Sequence, residues 1–274
     1  MIMPALSTIR AVLLDMDGVL YVGDRPLPGV QDFLDYLDAT GRGWLCITNN
    51  ASKTPEESVA KLARMNVTAG PEHIFNSAQA TAGWLAGQIR RDGIIPGKTF
   101  MFGMSGLRAA LLAERFTLTD DPLAADYVVA GANFNLTYEE LAQTAIAINN
   151  GARFVGTNPD KSFPTERGHL PGTGAILALL EATTGVTPEI VGKPNPAMFE
   201  LAMQRLGVTP AETLMVGDRY DTDIAGAVAL GMPTAGVLTG ITTAAEFAAA
   251  DPPPALVADD LPALLELFRA ADGA

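Results

Sequence analysis

The chain has one cysteine, Cys46, among its 274 residues. No intramolecular disulfide can form, so a disulfide-stapled extracellular framework is excluded and a reducing, cytoplasmic setting is expected. Long apolar runs are also missing. No stretch approaches the roughly 20 residues that cross a bilayer, and Met1 to Arg10 lacks the positive start and apolar core of a signal peptide, so no membrane partner is expected. Basic side chains are scarce: 18 Lys and Arg against 31 Asp and Glu leave a net charge of −13. That charge repels polyphosphate backbones and argues against a nucleic acid polymer as partner. The one adjacent basic pair, Arg90-Arg91, reads as a solvated helix end. Aromatic residues make up 7% of the chain, yet 48% apolar and 18% charged residues are enough for a packed core and exclude a largely disordered chain. At roughly 150 residues per domain, the length suits one large domain or two ordinary ones.

What is present is an alternation of strand and helix patterns. Arg10 to Asp15 is a short aliphatic run that stops at acidic and glycine residues, as a buried parallel strand does at a functional loop. A helix is predicted over Val30 to Ala39, with Phe33, Leu34 and Leu37 on one face, followed by a strand over Trp44 to Thr48. Thr54-Pro55-Glu56-Glu57 has the form of a helix start, with a cap, a proline in the first turn and acids behind it. The same grammar returns late in the chain: a helix over Pro196 to Leu206, a strand over Thr213 to Gly217, a helix over Thr222 to Leu230 and a strand over Pro233 to Val237. This is an α/β protein with a parallel sheet. Between the two halves, strands are predicted at Lys98 to Phe102, Asp126 to Ala130 and Arg153 to Gly156, with helices near 105–113 and 138–150. Residues 86–184 are long enough for a small α/β domain of their own, inserted into a core made from 1–85 and 185–274. Asn158 to Gly174, with three prolines and three glycines, is the most loop-like segment of the middle.

Four polar clusters stand at predicted strand ends or in loops beside them: Asp15-Met16-Asp17-Gly18, Thr48-Asn49-Asn50, Gly192-Lys193-Pro194 and Gly217-Asp218. Ligands of open α/β sheets bind outside the carboxyl ends of the strands, so one crevice could collect all four. With Asp15, Asp17, Asp218 and Asp223 together, that crevice needs a cation or protonated acids. Carboxylate oxygens without neighbouring His or Cys suit Mg²⁺, which keeps several waters and completes its shell from a phosphate.

These clusters resemble the four ordered motifs of the haloacid dehalogenase (HAD) superfamily. The carrying segments are Asp15-Met16-Asp17-Gly18-Val19-Leu20, Ile47-Thr48-Asn49-Asn50, Val191-Gly192-Lys193-Pro194 and Val216-Gly217-Asp218-Arg219-Tyr220-Asp221-Thr222-Asp223-Ile224. Tyr21, the Thr-Asn-Asn triplet, Pro171-Gly172-Thr173-Gly174 and Thr222-Asp223-Ile224 are similar, more narrowly, to the class IIA branch. That branch carries a large cap between the second and third motifs and includes NagD-like nucleotidases and 4-nitrophenyl, pyridoxal phosphate and phosphoglycolate phosphatases. The resemblance spans about residues 10–245 and implies a Rossmann-like core with an inserted α/β cap. It also implies Mg²⁺-dependent hydrolysis of a small phosphomonoester through an aspartyl-phosphate.

In that scheme Asp15 is the nucleophile, and Asp17 protonates the leaving oxygen and then deprotonates the attacking water. Gly18 lets the chain turn under the phosphate. Mg²⁺ is held by the Asp15 side chain, the Asp17 backbone carbonyl and the Asp218 side chain. Thr48 and Asn49 bind phosphoryl oxygens, Asn50 lines the substrate entrance, Lys193 neutralises charge, and Asp223 orients Lys193 or a metal-bound water. Retention of Asp17 and Asp218 argues against dehalogenation. A phosphomutase on the same scaffold stays open, and a phospho-receiver module is disfavoured because an acid two residues after the nucleophile speeds dephosphorylation. The partner is a small phosphorylated metabolite, and the branch allows a homodimer formed through the cap. Asp160, Lys161, Phe163, Arg167 and His169 could touch the leaving group but read more simply as a solvated loop. His73 reads as a surface or satisfied core histidine, and Met101, Phe102 and Met104 as core packing.

Overall fold

The computed structural model describes residues 6–93, 97–165 and 168–273, so Arg167 and the first five residues lie outside the described part. The chain divides into two compact units, one from Met1–Thr48, Glu56–Phe75 and Phe199–Ala274, the other from Asn49–Pro55 and Asn76–Met198.

The chain begins with strand β1 (Ala11–Leu14), the small hairpin β2 (Tyr21–Val22) and β3 (Arg25–Pro26), helix α1 (Val30–Ala39), β4 (Gly43–Thr48), α2 (Pro55–Arg64) and β5 (Ile74–Asn76). The second unit contributes α3 (Ser77–Asp92), β6 (Lys98–Phe102), α4 (Ser105–Ala113), β7 (Thr117–Leu118), β8 (Tyr127–Ala130), α5 (Tyr138–Asn149), β9 (Arg153–Gly156), β10 (Ser162–Thr165), β11 (Gly168–Pro171), α6 (Thr173–Thr184) and β12 (Glu189–Ile190). The chain returns through α7 (Pro196–Leu206), β13 (Thr213–Gly217), α8 (Ala225–Ala229), β14 (Thr234–Val237), α9 (Ala244–Ala249), β15 (Leu256–Ala258) and α10 (Leu261–Asp272). No helix among the described residues is long and apolar enough to cross a membrane.

In the first unit the sheet order is β15-β14-β13-β1-β4-β5. The pairs β1 with β13, β1 with β4, β13 with β14 and β14 with β15 all run parallel. Ala-Val-Leu-Leu in β1 is buried at every position, as a strand covered on both faces must be. From β1 the chain lays β4 and β5 on one side, then returns to lay β13, β14 and β15 on the other. The strand order therefore reverses between β1 and β13, which makes the carboxyl ends of these two strands the place where this topology opens a crevice. The apolar face of α1 (Val30, Phe33, Leu34, Leu37) joins Leu261, Leu264, Leu265 and Phe268 of α10 in one core, and Phe33 meets Phe268 edge to face at 5.8 Å.

The second unit has its own parallel sheet, ordered β12-β9-β8-β6-β7, and its own core around Phe102, Val128, Phe154 and Leu180. Two expectations are corrected. The supposed loop Asn158 to Gly174 contains the antiparallel ribbon β10–β11, with Phe163 opposite Leu170. Prolines marked it as loop, but both strands of an isolated ribbon are edges, where proline is tolerated. The helix expected over Thr222 to Leu230 opens instead with a five-residue π-type turn, Tyr220–Ile224, before α8. The Asp223 side chain accepts a bond from the Arg219 N–H at 3.1 Å across that widened turn.

An ion pair ties the C-terminal helix to the start of β4. Arg42 donates to both Asp272 oxygens, at 2.8 and 2.6 Å, and to the Ile9 carbonyl at 3.0 Å, while Tyr36 donates its hydroxyl to Asp272. The Arg42 guanidinium, and after it the Tyr36 hydroxyl, hold the Asp272 carboxyl below its ordinary range. A carboxyl whose folded value is depressed adds stability above its unfolded value, near 3.9, and loses it as the pH falls through the folded value. We expect Asp272→Asn to cost about 1 kcal/mol at neutral pH and to flatten the acid limb of stability measured by urea unfolding between roughly pH 5 and pH 2. An unchanged acid limb would assign it to other carboxylates.

Candidate active site

β1 ends at Leu14, and Asp15 continues it with its N–H donating to the Val216 carbonyl of β13 at 2.9 Å. The chain then turns sharply. Gly18 has φ +83°, a conformation that side chains disfavour, and a Cβ there would stand 2.5 Å from Asp218 Cγ. Its N–H donates to the Tyr21 carbonyl at 2.8 Å, and Asp17 and Tyr21 face one another as a bridge pair. Asp15 is half-buried and Asp17 exposed.

At the end of the neighbouring strand β13 stand Asp218 and Asp223, 2% and 1% exposed. Asp15, Asp218 and Asp223 each place a carboxylate oxygen so that the three lie within 4.8 Å of one another. Asp223 is held by the Arg219 N–H and by the Thr222 hydroxyl at 3.3 Å. Asp218 accepts from the Ile241 N–H at 2.8 Å, and its carbonyl from the Thr242 N–H at 3.0 Å. The loop that supplies these donors follows β14; its Thr239 hydroxyl donates to the Gly18 carbonyl, and a Cβ on Gly240 would collide with the Asp218 carboxylate. Sequence reading missed this loop, although Thr239-Gly240 directly after a predicted strand repeats the pattern of the four clusters.

The acids impose a negative field on their neighbours. Burial first, then Asp15, pushes the Cys46 thiol up to about 12; burial first, then Asp17 and Asp15, raises the Tyr21 phenol. Like charges packed this closely repel by on the order of a few kcal/mol per pair at a protein-like dielectric. A divalent cation resolves that repulsion, and an all-oxygen carboxylate set is what a hard cation prefers. The residues present fit such an ion: three convergent carboxylates, with a glycine at position 18 where a Cβ would press on the second of them.

The remaining predicted residues fall partly in the other unit. Thr48, 7% exposed, is the last residue of β4 in the first unit. Asn49, 9% exposed, belongs to the second, where its side-chain amide donates to the Lys193 carbonyl at 2.9 Å and to Asp160 Oδ2 at 3.1 Å. Its own carbonyl accepts from the Ser77 hydroxyl and from Asn158 Nδ2, both at 2.7 Å. Asn49 Oδ1 is buried with no hydrogen-bond partner among the described residues, so it has an acceptor to offer a ligand. A Cβ on Gly192 would stand 2.7 Å from that oxygen. Lys193 is 2% exposed and precedes a cis proline. Asn50 is exposed and closes a turn, its Oδ1 accepting from the Ser52 N–H at 3.0 Å and the Ser52 hydroxyl at 2.6 Å.

Asn158 is another residue that sequence reasoning did not connect to the site, and Asp160, for which a solvated loop was the simpler reading, has a bonded place. Both touch Asn49, across more than a hundred residues of chain. Lys161 and His169 are exposed, whereas Phe163 is half-buried against Phe134, with ring centroids 5.4 Å apart. His73 is structural, its ring stacked on Trp44 at 3.7 Å, and Phe102 is core.

Comparison with known proteins identifies the family. The family profile of haloacid dehalogenase-like hydrolases matches residues 12–117, and a HAD-hydrolase-like profile matches residues 190–264. An acid sugar phosphatase of Staphylococcus aureus is 41% identical over 253 residues, covering 92% of this chain and 95% of that protein. The crystal structure of a glycerol phosphate phosphatase from Mycobacterium tuberculosis, in complex with magnesium, superposes with a TM-score of 0.84 at 36% identity, over 95% of this chain and 78% of that one. NagD from E. coli K-12 superposes with a TM-score of 0.85 at 29% identity, over 92% and 97% of the two chains. With the motif order, the parallel sheet and the acid cluster all in agreement, the chain belongs to the NagD-like class IIA branch of the haloacid dehalogenase-like hydrolases and is a phosphatase.

Proposed function

We propose that this phosphatase hydrolyses a small phosphomonoester, with Mg²⁺ and through an aspartyl-phosphate on Asp15. The observation that carries the reading is the meeting of Asp15, Asp218 and Asp223 while Asp17, two residues along, keeps its carboxyl outside that set. The turn that follows Asp15 brings Asp17 back beside Tyr21, so the two acids leave the end of β1 separately, one into the cluster and one outside it for proton transfer.

Uncatalysed hydrolysis of phosphate monoesters is among the slowest biological reactions, and a carboxylate nucleophile divides it into two easier steps. A carboxylate oxygen of Asp15 bonds to phosphorus as the ester P–O bond breaks, and the departing oxygen takes a proton from Asp17. Water then attacks the phosphorus, giving its proton to the Asp17 carboxylate, and the bond to Asp15 breaks to release phosphate. Thr48 and Asn49 hydrogen-bond the phosphoryl oxygens, the Lys193 ammonium offsets the charge that collects around Asp15, Asp223 orients Lys193 or a bound water, and Asn50 borders the substrate entrance. The Asp15 and Asp218 side chains and the Asp17 carbonyl would hold Mg²⁺, which would supply positive charge for the phosphoryl group. Use of the Asp17 carbonyl leaves its carboxyl free for proton transfer.

Residues 86–184 act as a cap that excludes water and selects the leaving group. Sugar phosphates, nucleotides, phosphoglycolate and pyridoxal phosphate all belong to the chemical class, and the activities of the acid sugar and glycerol phosphate phosphatases favour a sugar or polyol phosphate. A single, fully buried cysteine supports a cytoplasmic setting.

Phosphate release from these esters and from 4-nitrophenyl phosphate, measured with Mg²⁺ and with EDTA, tests class and substrate together. Metal-dependent turnover with a sugar or polyol phosphate preferred by kcat/KM is expected. Turnover that survives complete metal removal contradicts the role given to the acid cluster, and return of the phosphoryl group to a product instead of to water would make the enzyme a mutase. Asp15→Asn should abolish turnover. Asp17→Asn should lower kcat roughly 10²–10⁴-fold with circular dichroism unchanged, and wild-type rates in either variant would sink the assignment. Asp218→Asn should weaken Mg²⁺ binding measured by calorimetry, a readout independent of activity.

A further inference from the structure

Asp17 is exposed, yet the chemistry assigned to it requires one orientation of its carboxyl. An unrestrained aspartate distributes itself over several staggered rotamers. Tyr21 stands beside it. The turn at Gly18 folds the chain back so that the Gly18 N–H meets the Tyr21 carbonyl and Asp17 pairs with Tyr21 as a bridge. Tyr21 is further fixed as the first residue of β2, opposite Pro26 of β3. Its side chain is 5% exposed, and a phenol buried to that degree must satisfy its hydroxyl. The Asp17 carboxylate, its neighbour across the bridge, is the acceptor beside that hydroxyl, and burial first, then the negative charge and the bond, keep the phenol protonated. On the face of the ring lies the Lys61 ammonium, 3.7 Å from the centroid, where a cation is attracted to the π-system and makes the phenol a stronger hydrogen-bond donor.

We propose that Tyr21, backed by Lys61 on its ring, is a positioning residue that holds one oxygen of the Asp17 carboxyl and so aims the other at the leaving-group oxygen. The inference rests on the acid–base role given to Asp17 above. Tyr21 makes no bond to phosphorus and moves no proton itself. It removes the rotamer search from the moment at which the ester P–O bond breaks and the proton passes from Asp17 to the departing oxygen.

A positioned acid matters in proportion to how poor the leaving group is. An alkoxide leaves only with a proton, whereas 4-nitrophenolate is a stable anion near neutral pH and needs little help. The test compares kcat/KM, which reports the first phosphoryl transfer, for the best sugar or polyol phosphate and for 4-nitrophenyl phosphate. Tyr21→Phe, which keeps the ring and its contact with Lys61, should lose about 10–100-fold on the sugar or polyol ester and less than about 3-fold on 4-nitrophenyl phosphate. Lys61→Met, which keeps the apolar stem, should move in the same direction by a smaller factor and decides the matter if Tyr21→Phe does not fold. Equal losses on both esters would mark Tyr21 as merely structural, and no loss on either would remove it from the reaction; both overturn the proposal. Asp17→Asn is run alongside. If its own defect is insensitive to the leaving group, the acid role of Asp17 fails and the proposal with it. If that defect is sensitive while Tyr21→Phe is not, only the positioning role falls.

Discussion

Mutual repulsion among Asp15, Asp218 and Asp223 is the constraint around which the first unit is organised. Two of these carboxylates are almost fully buried, and all three come within 4.8 Å. Such a cluster is tolerated only where dipoles and a cation compensate it, and the surrounding backbone supplies the dipoles: the N–H groups of Arg219 and Ile241 point at the carboxylate oxygens. Adjacent parallel strands make the meeting unavoidable. β1 and β13 run side by side, so whatever follows Leu14 and Gly217 emerges at the same edge. Glycine at positions 18 and 240 then lets two separate turns close onto Asp218, where a Cβ on either would press on its carboxylate.

The second unit solves a different problem. Asn49 has to present its side chain without the support of a regular element, and its amide is instead tied to the Lys193 carbonyl and Asp160 while its carbonyl is tied to Ser77 and Asn158. Two partners thus fix the side chain and two the backbone beside it, and Oδ1 is left as a buried acceptor without a partner among the described residues.

Much of this was legible before the structure. The helix predicted over Val30 to Ala39 and the strand predicted over Thr213 to Gly217 stand at those limits, because continuous apolar runs and a one-sided apolar stripe report burial directly. The β10–β11 ribbon was not legible. Its pairing depends on which residues stand opposite one another, and Phe163 against Leu170 leaves no periodic trace in a proline-rich stretch. The donors to Asp218 were hidden for a related reason: Ile241 and Thr242 act through their backbone N–H groups, which every residue except proline has, so side-chain identity does not announce them. Asp160 was weighed as a solvated loop acid, and only its bond to Asn49 gives it a place.

The sequence by itself determined the α/β class, the order of the polar clusters and the kinds of atoms available for chemistry, because burial pattern and functional-group identity are local properties of the chain. Only the tertiary structure decided which acids meet, which carboxylate Tyr21 holds and which backbone groups face Asp218. Those depend on strand order, on turns that need a missing Cβ and on hydrogen bonds between residues far apart in the chain, 221 positions for Thr239 to Gly18 and 144 for Asn49 to Lys193. Distances of that kind are set by the packing of the whole sheet and not by any segment of it.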